Sequence, residues 1–114
     1  MPNPKQAEAF SPQQQMVFDA LGNPLRRQII QLLATQAYPV SQIAKQFPVS
    51  RPAISKHLRL LEQAGLITHQ VNGNQNFYHL QAQGFQQAQA WLDNYWDQAL
   101  NRFRLLAENT QPQN

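Results

Sequence analysis

Apolar positions recur at helical spacing along most of this chain, interrupted by one alternating stretch. Ser11-Pro12-Gln13-Gln14 supplies an N-cap, a proline at the first helical position and a glutamine at N3, a capping box. It predicts a helix to Leu21 with Met16, Val17, Ala20 and Leu21 as its apolar face and Gly22 as its end. Asn23-Pro24 repeats the device and opens a second helix, whose apolar positions are Leu25, Ile29, Leu32 and Leu33. Tyr38-Pro39-Val40 reads as a loop with a short extended piece. Ser41 is expected to cap a third helix that points Ile43, Ala44 and Phe47 inward and closes at Pro48.

Ser50 caps a fourth helix, about 50–64. Ile54, Leu58 and Leu61 lie at i, i+4 and i+7, so one face must bury and Arg51, Ser55, Lys56, Arg59 and Gln63 turn outward to varying degrees. Gly65 is its C-terminal cap. Two strand-like runs, Leu66–Val71 and Asn76–Leu80, flank Asn72-Gly73, a strong hairpin signal. A last helix runs from near Gly84 to about Glu108. Helix, turn, basic helix and hairpin is the order of a winged helix-turn-helix, mainly α with a small β-hairpin, and DNA is the first partner to consider. Residues 11–108 are expected to form one domain, with flexible ends at 1–10 and 109–114.

The last helix carries Phe85, Leu92, Ala99 and Leu106 at seven-residue steps, with Trp96 and Phe103 as a second set. An a/d stripe of this length predicts a helix that pairs with a second copy. Packed with Met16 and Val17 of the first helix, it makes the chain a homodimer with N- and C-terminal dimerisation helices. A competing reading gathers Trp91, Tyr95, Trp96 and Phe103 into an aromatic ligand pocket.

Charge narrows the partner. The net charge of the 114 residues is only +3, but residues 41–80 hold Lys45, Arg51, Lys56 and Arg59 against Glu62 alone. Residues 84–114 hold Arg102 and Arg104 against Asp93, Asp97 and Glu108. The middle of the chain is therefore the basic part, as a phosphate-facing surface requires; a solvated face with no partner is the bland alternative. The absence of cysteine excludes disulfides and thiolate metal sites and fits a reducing cytoplasm. No apolar run is long enough to span a membrane, and the first residues lack the apolar core of a signal peptide.

A groove-reading helix needs a small or polar tip, an apolar anchor and flanking cations. Ser50, Arg51, Pro52 and Ser55 form such a tip, with Lys56, His57 and Arg59 next along and Lys45 on the preceding helix placed for a phosphate. Arg51 suits a bidentate contact to a guanine edge. His57 is either a DNA contact or a half-buried structural residue. No nucleophile with base and acid partners is visible, and the glycines are isolated caps and turns, so no enzyme is expected.

Three segments carry a resemblance. Ala20-Leu-Gly-Asn-Pro-Leu-Arg-Arg-Gln-Ile-Ile-Gln-Leu-Leu33 is similar to the opening helix of the ArsR/SmtB family of winged-helix repressors. Ser50-Arg-Pro-Ala-Ile-Ser-Lys-His-Leu-Arg-Leu-Leu-Glu-Gln-Ala-Gly-Leu-Ile67 closely resembles that family's recognition segment, and Phe77-Tyr-His-Leu80 resembles the return strand of its wing. The resemblance implies a homodimeric, cytoplasmic repressor of an inverted-repeat operator, often released by an inducer; here the inducer would be a small molecule of unknown chemistry. It places Ser50, Arg51, Ser55 and His57 toward the major groove and Asn72, Gly73, Asn74 and Gln75 at the wing tip.

The chain departs from the family in three places. Soft-metal sensors carry a Cys-x-Cys pair at the end of the third helix, and this chain has none. Other members use Asp and His ligands on the last helix, yet here Tyr95 follows Asp93 and that helix contains no histidine. No metal or other cofactor is therefore expected. His69 and His79 are cross-strand neighbours only in one register, and a two-histidine metal site there lacks a third ligand. The wing tip Asn72-Gly-Asn-Gln-Asn76 also lacks arginine, which predicts a shallower salt dependence and leaves a rival reading: a winged-helix protein-interaction module that has lost specific DNA binding.

Overall fold

The computed structural model describes residues 11–110. Five helices and three short strands follow in the order α1 (Pro12–Leu21), α2 (Pro24–Leu33), β1 (Tyr38–Pro39), α3 (Val40–Lys45), α4 (Arg51–Gln63), β2 (Ile67–Asn72), β3 (Gln75–Leu80) and α5 (Ala82–Thr110). The caps form where the local pattern puts them. Ser11 and Gln14 exchange hydrogen bonds as a capping box, and Asn23 and Ser50 accept from the amides of Arg26 and Ala53. Helix α4 ends in a full glycine cap: Gly65 takes φ 76°, the Leu66 amide donates to the Leu61 carbonyl, and the Gly65 amide donates to Glu62.

The core collects one face of each element. Val17, Ile29, Ile43, Ile54, Leu61, Leu66 and Ile67 are fully buried, and Ala88 is the last core residue of α5. Beyond Ala88 that helix leaves the core, with Trp91 still packed against Phe18. Its 29 residues span about 44 Å, the whole molecule extends 72 × 35 × 25 Å, and its radius of gyration is 19.7 Å. A compact chain of 100 residues has a radius near 13 Å.

Several expected boundaries move. Helix α3 begins at Val40, with Pro39 in the cap position and no side-chain cap, so Ser41 sits inside the first turn; it ends at Lys45, short of Phe47. The cause is non-local. Tyr38 and Pro39 pair with Tyr78 and Phe77 as an edge strand, giving a sheet of order β1-β3-β2 and fixing where the chain turns. In the hairpin, Asn72 faces Gln75, so the turn is Gly73-Asn74, one residue later than expected. Gly73 alone takes positive φ (68°), the sign pattern of a type II′ turn with glycine first. Helix α5 starts at Ala82 and includes Asn109 and Thr110, two residues of the expected tail. The expected flexible N-terminus, 1–10, and the rest of the tail, 111–114, lie outside the described residues.

Gly84 is not a cap but a point of contact. Its amide donates to the Gly65 carbonyl at 2.7 Å, and a Cβ there would meet the Ala64 oxygen at 2.7 Å and Gly65 backbone at 2.8 Å. Gln13 adds a side-chain donor to the same Ala64 carbonyl. The end of α4 is thus clamped by α1 and α5. Gly84→Ala should lower the denaturation midpoint: overpacking against backbone costs about 1–3 kcal/mol, more than the roughly 1 kcal/mol that alanine gains over glycine in a helix. An unchanged midpoint would show that the two backbones separate freely.

Candidate nucleic-acid interface

Helix α4 is anchored by Ile54, Leu58 and Leu61, all at 1% exposure or less. Helical geometry then turns Pro52, Ser55, Lys56 and Arg59 to solvent on the opposite side, with Ser50 and Arg51 at the tip. Lys45, at the end of α3, is exposed as well. Arg51 shares a cleft of about 410 Å³ with Ser41 and the wing residues Asn74, Gln75 and Asn76. The tip of the basic helix and the wing therefore flank one opening. All four wing-tip residues, Asn72, Gly73, Asn74 and Gln75, are exposed, and Val71 beside them is 71% exposed.

Glu62, the only carboxylate between residues 41 and 80, does not face this surface unpartnered. It pairs with Nδ1 of His69 on β2, and the His69 ring lies 5.2 Å from that of Tyr78 on β3. Burial and then the Glu62 charge push the Tyr78 hydroxyl above its usual range. This cluster joins the end of α4 to the base of the wing.

The histidines do not gather. Register sets His69 opposite Tyr78 and His79 opposite Thr68, so His69 and His79 occupy opposite faces of the sheet. The two-histidine metal site fails on that geometry. His79 donates from Nδ1 to the Leu80 carbonyl at 3.0 Å. Among the described residues, no cluster of three or more His, Asp or Glu side chains is placed to hold a metal ion.

His57 lies at the edge of the buried stripe, half-buried, with Nδ1 3.3 Å from the Arg26 guanidinium. Burial first, then Arg26 and Lys56, hold its pKa below the usual histidine value. Arg26 was not among the expected site residues. Its Nε donates to the Ala20 carbonyl at 2.8 Å and a terminal nitrogen to the Asp19 carbonyl at 3.1 Å, while Arg27 donates to Leu21. The sequence does hold a clue to this. Two arginines in the first turn of α2 are misplaced for their own helix dipole; they serve instead as the C-terminal cations of α1, which has none.

The expected interface residues divide. Val17 is completely buried in its own protomer's core and cannot meet a partner, and Phe85 is half-buried against that core. Met16 is 41% exposed. Leu92, Trp96, Phe103 and Leu106 are exposed on the part of α5 beyond the core, with Ala99 half-exposed between them. The aromatic residues do not close a single pocket. Trp91 packs edge-on against Phe18 and tilts onto Tyr95. Phe103 and Trp96 line two adjoining shallow depressions that share Tyr95 and Ala99.

Residues 23–69 match the family model for bacterial regulatory proteins of the arsR family. The HTH-type transcriptional regulator Rv2034 of Mycobacterium tuberculosis is 34% identical over 92 residues, which span 81% of this chain and 86% of that protein. This chain belongs to the ArsR family. Transcriptional repressor SdpR of Bacillus subtilis is 35% identical over 79 residues, 69% of this chain and 88% of SdpR. An ArsR-like transcriptional regulator from Rhodococcus sp. RHA1 superposes with a TM-score of 0.76 at 25% identity, over 89% of this chain and 95% of that one. The homodimeric winged helix-turn-helix domain Mb0332 of Mycobacterium bovis has the same fold, with a TM-score of 0.61 at 24% identity over 99% and 97% of the two chains. This ArsR-family chain is a transcriptional regulator built on a DNA-binding winged helix, and not an enzyme. No helix among its described residues is long and apolar enough to cross a membrane.

Proposed function

We propose that this regulator is a homodimeric, cytoplasmic repressor that binds an inverted-repeat operator in double-stranded DNA. The observation that carries the reading is the exposed face of α4. Ser50, Arg51, Pro52, Ser55, Lys56 and Arg59 share it with Lys45 nearby and the wing amides across the cleft, while the one local carboxylate is held by His69. Arg51 and Ser55 read base edges, Lys45, Lys56 and Arg59 hold phosphates, and Asn72, Gly73, Asn74 and Gln75 approach the flanking backbone or minor groove.

The exposed apolar face of α5 beyond the core supports the dimer. Leu92, Trp96, Phe103 and Leu106 are each more than half exposed, an apolar surface too continuous for a lone protomer. Pairing through α5, with Met16 of α1 at its edge, would set two α4 helices roughly 34 Å apart, one DNA turn. SdpR is named as a repressor and Mb0332 as a homodimer, which agrees with both parts. An inducer of this chain would be a small molecule. The wing's lack of cations motivates the rival, a protein-interaction module.

Fluorescence anisotropy with a labelled duplex from the chain's own promoter, against a random duplex and across a salt series, separates the two. The repressor binds its operator at least about 1,000-fold tighter than random DNA. Three phosphate-holding cations per protomer, six per dimer, give a log–log salt slope near −5. Equal affinity for both duplexes would overturn the proposal and favour the protein-interaction module.

A further inference from the structure

We infer that Arg26 is a positioning residue for DNA recognition, holding the His57 ring with its proton on Nε2 while tying α4 to the end of α1. The inference rests on the DNA-binding reading above. A guanidinium carries only donors, so the contact from Arg26 to His57 Nδ1 at 3.3 Å makes Nδ1 the acceptor. The ring is then neutral with its hydrogen on Nε2. Among the described residues Nε2 takes no protein partner, yet it is not sealed from solvent as His79 Nε2 is.

The geometry behind the contact is rigid. Nε and one terminal nitrogen of Arg26 are fixed on the Ala20 and Asp19 carbonyls, which aims the remaining terminal nitrogen at the ring. The charged groups facing His57 are Arg26 from α2 and Lys56 from its own helix. The Asp19 carboxylate accepts from Gln15 at 2.8 Å, and among the described residues no carboxylate pairs with the His57 ring. A protonated ring would set N–H against N–H between two cations, which adds to burial, the larger cause, in lowering its pKa.

The tautomer is itself a statement about sequence. An Nε2–H donor beside the reading face suits guanine O6 or N7, thymine O4 or a phosphate oxygen, and it rejects the amino groups of adenine and cytosine. Helix α1 also packs along α5. The bridge therefore joins the helix proposed to pair protomers to the helix proposed to read DNA.

The sign of the pH effect is fixed. The folded pKa lies below the ordinary histidine value of about 6.5, so the unfolded chain takes the proton first. The stability that this site contributes is present above that value and is lost as pH falls from it through the lowered folded pKa.

Long-range proton–nitrogen NMR correlations on the whole protein, with operator and random-duplex affinities, test the assignment in wild type, Arg26→Met, His57→Phe, His57→Gln and the double variant Arg26→Met/His57→Phe. Wild type should show the lone pair on Nδ1 and a titration midpoint below that of ordinary histidine. Arg26→Met should mix the tautomers and raise the midpoint. The operator-to-random ratio should fall about tenfold in Arg26→Met and in His57→Phe, and no further in the double variant. His57→Gln, whose amide nitrogen takes the place of Nε2, should keep most of the ratio. The His57 pair leaves Arg26's grip on α1 intact, so it decides the matter even if Arg26→Met is too unstable to assay. A wild-type proton on Nδ1, an unchanged ratio in His57→Phe, or additive losses in the double variant would overturn the inference. A wild type with no operator preference would defeat the DNA-binding reading instead, and the tautomer result would still stand.

Discussion

Trp96→Asp should yield a folded monomer whose operator affinity is at least about 100-fold below wild type. In a single protomer Trp96 is 62% exposed, two turns past the last core residue, Ala88. A carboxylate there stays solvated in the monomer, so helix content and thermal unfolding at low concentration should change little. In a dimer it enters an apolar seam shared with Leu92, Ala99 and Phe103, where burying an unpaired charge costs several kcal/mol. The DNA effect follows from linkage. Two α4 helices on one rigid dimer meet their half-sites as a single event, and separate protomers lose the high effective concentration of the second contact. Light scattering at micromolar concentration should halve the mass between wild type and variant. A wild-type monomer, or a variant that stays dimeric, would defeat the α5 seam.

Local rules captured what is local. Ser11, Asn23 and Ser50 are legible as caps because a side-chain acceptor, a following proline and an apolar period coincide within one turn. The outward face of α4 is legible because Ile54, Leu58 and Leu61 leave it no other orientation. What failed depends on partners distant in sequence. Nothing near Ser41 reveals that Tyr38 and Pro39 pair with a strand nearly 40 residues away and start α3 early. Asn72-Gly73 marks a hairpin but not which two residues turn, and only the pairing itself sets His69 opposite Tyr78, with His79 on the other face. His57 follows α4's period in placing itself at the edge of the buried stripe, but its partner Arg26 comes from another helix. Val17 fits an interface and a core equally well by pattern, and only packing decides.

Arg51→Ala should cut operator affinity about 10- to 100-fold while leaving random-duplex affinity nearly unchanged. Arg51 is the first residue of α4, exposed at its tip, and its neighbours across the cleft are the amide side chains of Asn74, Gln75 and Asn76 with no carboxylate among the lining residues. Among the described residues the guanidinium has no fixed partner to abandon, so its hydrogen-bonding capacity is available to a base edge. Lys56→Ala is the contrast. A point charge on the outward face holds a phosphate, so its loss should weaken binding to both duplexes alike and make the salt slope shallower by about 0.9 per contact, nearly 2 for a dimer. The wing sharpens the comparison because it carries no cation. Phosphate holding then falls to Lys45, Lys56 and Arg59, and sequence reading to Arg51, Ser55 and the amides. If Arg51→Ala instead weakens both duplexes equally and flattens the salt slope, the cleft beneath it seats a phosphate, and the guanine assignment passes from Arg51 to the remaining polar groups of the helix tip.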